Sequence, residues 1–198
     1  MKKMEVIQRL SRWYSGAIHD CMDQLGIWGV LEGFNLYGYL PQGGKICGPA
    51  TTVQFVPSRK RVFMKRYLQA IDQVGQGGIL VMDTAGAKGS CHGELMSLGT
   101  KMHGGIGSIV NGTIRDLPEV EAMGDYPIYA KGLAPLSAVG RMEDIAYNVE
   151  IEINSVRICP GDIIFADRDG VIVIPRQAAE LVADMTEELA KKERNYKE

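Results

Sequence analysis

The sequence has almost no excess of charge of either sign. It contains 22 Lys and Arg residues against 24 Asp and Glu residues, which gives a net charge of −2 at pH 7. A chain this close to neutrality has no overall electrostatic attraction for nucleic acids or for anionic membrane surfaces. We therefore expect neither nucleic acid nor membrane among its partners.

Long apolar runs are also absent. No stretch approaches the roughly 18 consecutive apolar residues that a membrane-spanning helix needs. The basic start of the chain is followed by Gln8, Arg9 and Arg12, where a secretory signal would have its apolar core. We expect a soluble, cytoplasmic protein.

Cysteine is scarce and scattered. No two of the four cysteines form the C-x-x-C pair that is typical of zinc sites and redox motifs. This spacing indicates free thiols in a reducing compartment. A Walker A pattern is missing as well. The glycine-rich segment 104–107 precedes a predicted strand, whereas a dinucleotide-binding loop follows one.

What the sequence does contain is an alternation of apolar strands and helical segments. Helices are predicted at 62–74, 93–103 and 116–123, and they separate predicted strands at 50–56, 78–82, 106–110 and 126–130. Such alternation is typical of parallel β-α-β units, so we expect an α/β fold with a central βαβαβ unit.

The remainder of the chain adds helices and antiparallel strands. Short apolar runs interrupted by turn residues predict antiparallel strands at 149–153, 156–158, 162–166 and 171–174. Helical spacing of apolar residues predicts helices within 1–26 and at about 176–194. With 45% apolar residues, the chain is expected to bury one core, as a single domain over 1–198.

Two segments follow predicted parallel strands, and ligands of open α/β folds bind at that edge of the sheet. The first, 83–96, is a run of small residues that leads into a helix. Its free backbone amides at 93–96 attract carboxylate or phosphate groups. The alternative is a plain connection in which Glu94 offsets the helix dipole.

The second segment, 111–119, contains adjacent Arg115 and Asp116. Arg115 can bind a substrate carboxylate with its bidentate guanidinium group. Asp116 can hold a hard cation such as Mg²⁺ through one oxygen. The alternative is structural, since Asp116 and Glu119 also fit the N-cap and acidic partner of a capping box.

Taken together, Glu94, Arg115, Asp116 and Glu119 form the pattern E-x20-R-D-x2-E. This pattern resembles the D-x20-R-D signature of the RraA-like family, which includes metal-dependent 4-hydroxy-4-methyl-2-oxoglutarate aldolases that also decarboxylate oxaloacetate. The segments 15–26, 48–53 and 160–175 resemble further parts of the same family. The resemblance implies a swivelling β/β/α fold.

The resemblance also implies roles for the site residues. Asp116 would bind a divalent metal, Mg²⁺ or Mn²⁺, and Arg115 would hold the substrate carboxylate and offset enolate charge. Glu94 and Glu119 would act through waters on the metal. The carboxylate of the pyruvyl group would be received by three backbone amides, those of Gly93, Leu95 and Met96.

An assembly is implied as well. Family members form a trimer or a pair of trimers with sites near subunit interfaces, and a C-terminal acidic residue of a neighbouring subunit contributes. Glu193 is the candidate for that residue. Residues 132–141 are expected to select the group beyond the pyruvyl end of the substrate.

These features predict a lyase that cleaves a C–C bond of a 2-oxo acid through a pyruvate enolate, by retro-aldol cleavage, oxaloacetate decarboxylation or both. The alternative is a non-catalytic regulator that binds a ribonuclease. That branch of the family lacks the acidic residue after the arginine, and this sequence keeps Asp116. Methyl transfer to a quinone ranks lowest, because no S-adenosylmethionine-type glycine loop follows the first strand.

Overall fold

The computed structural model describes the backbone of residues 2–197 and the side chains of residues 4–192. The helices are α1 (Lys2–Leu10), α2 (Ser15–Gln24), α3 (Lys65–Asp72), α4 (Glu94–Met102), α5 (Leu117–Ala122) and α6 (Ala179–Lys197). The strands are β1 (Val30–Leu31), β2 (Asn35–Tyr37), β3 (Ile46–Pro57), β4 (Ile79–Asp83), β5 (Ser90–His92), β6 (Gly107–Ile114), β7 (Ile128–Leu133), β8 (Met142–Tyr147), β9 (Ile151–Ile153), β10 (Val156–Ile158), β11 (Ile163–Ala166) and β12 (Val171–Ile174).

The predicted parallel unit is the centre of the main sheet. Strands β3, β4, β6 and β7 lie side by side and pair in parallel. Antiparallel strands extend the sheet on both sides, in the order β1-β12-β11-β3-β4-β6-β7-β2, while β8 pairs with β3 and β5 with β6. The α/β class is therefore confirmed, and so is the antiparallel pairing of β9 with β10 and of β11 with β12.

Three expectations for individual elements need correction. The helix predicted at 62–74 begins only at Lys65, because residues 58–64 form an irregular loop. The segment 83–96 was expected to be a loop up to its helix, but it contains the strand β5. Strands β1, β2 and β8 lie in stretches for which no strand was predicted.

The two faces of the sheet bury separate apolar clusters. Along β4, Leu80 and Met82 pack with α3 on one face, whereas Ile79 and Val81 pack with β9 and β10 on the other. All four side chains are fully buried. Each such side chain contributes about 1.5–3 kcal/mol relative to an exposed one, so the clusters hold the carboxyl ends of the parallel strands rigidly.

Among residues 2–197, no helix combines the length and the apolar character that crossing a membrane requires.

Candidate functional site

Arg115 and Asp116 lie directly after β6, at the carboxyl edge of the parallel strands. The backbone N–H of Arg115 donates to the carbonyl oxygen of His92 at 3.2 Å, which fixes the end of β6 against the end of β5. Asp116 then adopts a left-handed conformation, with φ 59° and ψ 39°, immediately before α5. The chain thus turns sharply at the two residues that the sequence pattern singled out.

The carboxylate of Asp116 does not cap α5. Its side chain makes no capping hydrogen bond, although its backbone carbonyl accepts the N–H of Val120 at 3.0 Å. Instead, Asp116 Oδ2 lies 3.3 Å from Arg115 Nε, and the two side chains are 40% and 42% exposed. A left-handed residue with a side chain costs on the order of 1–3 kcal/mol and is found disproportionately at functional sites. This geometry favours the ligand-binding interpretation over the capping box.

Gly93 brings the start of α4 against the same carboxylate. A Cβ atom at this position would lie 2.6 Å from Asp116 Oδ2 and 3.1 Å from Arg115 Cγ. The backbone of Gly93 is extended, with φ −168°, so the close approach and not the conformation favours glycine here. The first-turn amides of α4 have no acceptor within the helix and form a natural anion-binding end.

The structure therefore brings Gly93, Arg115 and Asp116 into direct proximity. Glu94, Leu95 and Met96 follow in the first turn of α4. Glu119 is exposed in the first turn of α5, and no hydrogen bond or ion pair joins it to another predicted site residue within the described part of the chain. Glu193 lies in the last turns of α6, outside the residues whose side chains are described.

A buried histidine supports this edge of the site. His92 Nδ1 lies 2.6 Å from the hydroxyl of Tyr67, and its Nε2 lies 3.0 Å from the hydroxyl of Ser97 in α4. Burial lowers the pKa of His92 to about 3, so the ring is neutral near pH 7. No role was predicted for His92 from the sequence. If residues 90–92 had been predicted as a strand, His92 would have been expected next to the start of α4.

A second buried network crosses three neighbouring strands. Asp83 at the end of β4 accepts hydrogen bonds from the side-chain amides of Gln54 in β3 and Asn111 in β6, both at 2.8 Å. Its Oδ1 also accepts the N–H of Ala85 at 3.0 Å. No role was predicted for Asp83 from the sequence. The register of the parallel strands, which sequence does not provide, brings these side chains together.

The donor set limits the kind of metal site that the residues can form. No group of three or more His, Cys, Asp and Glu side chains that could hold a metal occurs among the described residues. A single exposed carboxylate is compatible with Mg²⁺ or Mn²⁺, because such ions keep several waters and take the remaining ligands from substrate. Asp116, whose carboxylate is not used for capping, fits that requirement.

A cleft of about 470 Å³ lies at the same edge of the sheet. Its walls include the loop 84–89 and the residues Asn111, Gly112 and Thr113, which lie just before Arg115 in the chain. Ala134 and Leu136 also line it. Part of the segment 132–141, which was expected to select the substrate, thus faces a cleft of small-molecule size.

The chain was compared with known proteins. The family described as RraA-like, Aldolase/RraA, matches residues 16–173. Protein DlpA of Legionella pneumophila is 32% identical over 91% of this chain and 29% of its own length. A protein of Halalkalibacterium halodurans named "Putative 4-hydroxy-4-methyl-2-oxoglutarate aldolase" is 33% identical over 72% of this chain and 66% of its own length. This chain therefore spans less than two thirds of either relative.

A solved structure gives the same result for the fold. The crystal structure of Streptomyces coelicolor RraAS2, described as an unusual member of the RNase ES inhibitor RraA protein family, superposes with a TM-score of 0.87. It is 30% identical, and the match covers 98% of this chain and 96% of that one.

Proposed function

Because this chain belongs to the RraA-like family, we propose that it is a metal-dependent lyase that cleaves a C–C bond of a 2-oxo acid to release pyruvate. One observation carries the proposal. The carboxylate of Asp116, which does not cap α5, lies beside the guanidinium group of Arg115 and the N-terminal end of α4. A carboxylate that can bind a metal ion, a guanidinium group that can bind a substrate carboxylate, and the amides at the start of a helix therefore lie close together.

In the proposed reaction, Arg115 and the amides of Gly93, Leu95 and Met96 bind the carboxylate of the pyruvyl group. Asp116 would hold Mg²⁺ or Mn²⁺. When bound, the ion supplies positive charge that stabilises negative charge on the substrate's keto oxygen. Arg115 adds a second positive charge near the same end of the substrate.

Bond cleavage then follows the chemistry of a β-hydroxy ketone. The proton leaves the 4-hydroxyl group, the bond between C3 and C4 breaks, and its electron pair forms the enolate of pyruvate. A proton returned to C3 completes pyruvate. We assign these proton transfers to Glu94 and Glu119, which lie in the first turns of α4 and α5. In oxaloacetate C4 is a carboxylate and no hydroxyl proton is removed; the bond between C3 and C4 breaks to release CO₂, and its electron pair again forms the enolate of pyruvate.

The relatives support this class of reaction. The protein of H. halodurans carries an aldolase name at 33% identity, and an Alcanivorax borkumensis protein carries the same name at 28% identity. We propose the physiological substrate by class only, as a 4-hydroxy-2-oxo acid or oxaloacetate.

The test is pyruvate release from oxaloacetate, corrected for the uncatalysed reaction with metal alone. We expect turnover with Mg²⁺ or Mn²⁺, none after chelation, and loss in Asp116→Asn. Asp20→Asn, which removes an exposed carboxylate on α2, is the matched control and should retain turnover. A folded, metal-loaded protein without activity on oxaloacetate or on 4-hydroxy-2-oxo acids would contradict the proposal.

A second candidate is a regulator that binds a ribonuclease, because the S. coelicolor relative is described within a family of RNase ES inhibitors. Asp116 favours the enzyme over this alternative, since binding a protein partner requires no carboxylate beside Arg115. Inhibition of a ribonuclease by both the wild type and Asp116→Asn, without turnover by either, would favour the regulator over the enzyme.

A further inference from the structure

The basic loop, defined as residues 59–66 and including the first two residues of α3, carries a local concentration of positive charge that the proposed reaction does not use. It contains five of the 22 Lys and Arg residues and no Asp or Glu. The chain as a whole has a net charge of −2, so this loop differs sharply from the average of the molecule. Like charges repel one another, and five cations in a segment with no acidic residue of its own therefore require a separate explanation.

Three cations of this region line one cleft. The cleft has a volume of about 480 Å³, and its walls include Arg59, Lys88 and Arg141 but no carboxylate. All three side chains belong to exposed residues. Within the described part of the chain, none of the three forms an ion pair with an acidic side chain.

The acidic residues nearest to Arg141 in the sequence are already engaged. Glu143 pairs with Lys60 at 3.4 Å. Asp144 is buried, and its carboxylate accepts the backbone N–H of Tyr67 at 2.8 Å. Neither of these interactions neutralises a cation that lines the cleft, so the cleft keeps its positive charge.

Backbone hydrogen bonds fix the segments that carry the cations. The N–H of Ser58 donates to the carbonyl of Arg141 at 2.9 Å, which ties the start of the basic loop to the opposite wall. The N–H of Ser90 donates to the carbonyl of Leu136 at 2.7 Å and holds the end of the loop 84–89. The walls are thus positioned before any ligand arrives, which reduces the entropic cost of binding.

The guanidinium group of Arg141 is held as well. Its Nη1 donates to the carbonyl of Ser137 at 3.0 Å. Its Cδ lies 3.2 Å from the place where a Cβ of Gly89 would be, so a side chain at 89 would displace it. The remaining N–H groups of this guanidinium stay available for a ligand with several anionic oxygens.

We propose that this cleft, lined by Arg59, Lys88 and Arg141, binds a small polyanion, a phosphate ester or a polycarboxylate. The cleft volume lies within the range for small-molecule sites, and a chain of net negative charge does not attract nucleic acid over its whole surface. The lining residues include none of those proposed to bind the metal or the pyruvyl carboxylate, but Lys88 also lines the neighbouring cleft of about 470 Å³.

The test is isothermal titration of the full chain with inorganic pyrophosphate and with citrate in metal-free buffer. We expect the wild type to bind at least one of them. The double variant Arg59→Gln, Lys88→Gln should bind it about tenfold more weakly or worse, because two charge-assisted contacts are lost. Arg168→Gln, which removes an exposed cation in the turn between β11 and β12, is the matched control and should bind as the wild type does.

Three results would overturn the proposal. One is no binding of either anion by the wild type. Another is binding that Arg115→Gln abolishes and the double variant retains, since the anion would then occupy the lyase site. The third is tighter binding of a single-stranded RNA that is lost in the double variant, because the surface would then recognise nucleic acid. Circular dichroism checks that each variant is folded.

Steady-state kinetics distinguishes whether the anionic group that binds in this cleft belongs to the substrate or to a separate ligand. If the double variant raises KM for a 4-hydroxy-2-oxo acid with an anionic tail but not for one with a neutral tail, the cleft binds the tail of the substrate. If neither KM changes while pyrophosphate or citrate binding is lost, the cleft binds a separate ligand. Both results support a polyanion site, and failure of the lyase proposal leaves the titration result unaffected.

Discussion

At the scale of single residues, Gly93 is the most informative position. Its backbone is extended and any residue can adopt it, but a Cβ would lie 2.6 Å from Asp116 Oδ2. We expect Gly93→Ala to fold with a slightly lower melting temperature, because the side chains of Asp116 and Arg115 can shift but the backbone carbonyl of Arg115 would also lie 3.3 Å from the new Cβ. Pyruvate release should fall by about 100-fold, as misplacement of a reacting group by about 1 Å can cost that much. Enzyme assays and thermal unfolding measure the two effects.

The matched control is Gly99→Ala in the same helix. A Cβ there would lie 3.5 Å from Ile71 Cγ2, which is ordinary contact. Alanine favours the helix by about 1 kcal/mol over glycine, so this variant should be more stable and fully active. Equal activity of the two variants would contradict the role given to Gly93.

His92 gives a prediction about pH. Burial lowers its pKa from 6.5 to about 3, so the unfolded chain binds more protons than the folded protein between these values. The free energy of unfolding contributed by His92 is therefore complete above about pH 6.5 and is lost as the pH falls toward 3, by up to about 1.4 kcal/mol per pH unit.

Urea unfolding at about pH 5 and about pH 7 tests this dependence. His92→Asn should be less stable at both pH values, because the hydrogen bonds with Tyr67 and Ser97 change, but it should lose the part of the pH slope that the histidine supplies. His103→Asn, which removes an exposed imidazole that lies 3.6 Å from Asp72, is the comparison variant. A slope that is the same in all three proteins would show that His92 is not the group responsible.

At the scale of elements, the periodicity of apolar residues predicted those helices and strands that depend on the local sequence. The apolar runs of β4 and β6 and the helical spacing of α4 are local features, and these elements were found within a few residues of the predicted bounds. Strand β5 was missed because three residues are too few for a period, and it forms by pairing with β6 and by a bridge from Ser90 to Ser137, both distant in the sequence. The short strands β1 and β2 depend on long-range partners in the same way.

In the candidate site, too, some features follow from the local sequence and others depend on long-range contacts. The spacing from Glu94 to Arg115 was visible in the sequence, and so were the two competing roles of Asp116. The left-handed turn that removes Asp116 from capping was not visible, because it depends on how β6 ends against β5. The basic cleft was missed because Arg59, Lys88 and Arg141 come from three separate segments.

The network across β3, β4 and β6 predicts a stability effect. Asp83→Leu would leave the side-chain amides of Gln54 and Asn111 without their acceptor, so we expect the free energy of unfolding to fall by about 3 kcal/mol. Asp72→Leu, at an exposed position near the end of α3, is the control and should change it by less than about 0.5 kcal/mol. Urea unfolding measures both, and similar values for the two variants would contradict the proposed importance of the network.

At the scale of the whole molecule, helix α4 presents an apolar face that nothing in the described part of the chain covers. Leu95, Leu98 and Met102 recur at helical spacing and are 70%, 41% and 75% exposed. Contiguous exposed apolar side chains of this kind mark interaction sites. The same helix begins at Gly93, so a partner on this face would border the candidate lyase site.

We propose that this face is covered by a second copy of the chain, in the trimer or hexamer expected from the sequence. The wild type should then sediment at a multiple of the 21.7 kDa chain mass. Leu98→Glu with Met102→Glu should sediment as a single chain, because two carboxylates cannot be buried in an apolar contact without a large desolvation cost. Turnover should fall with it, since the subunit bordering the site is lost. Leu181→Glu, at a half-exposed position on α6, should keep the wild-type mass, whereas a wild type that sediments at 21.7 kDa would contradict the assembly.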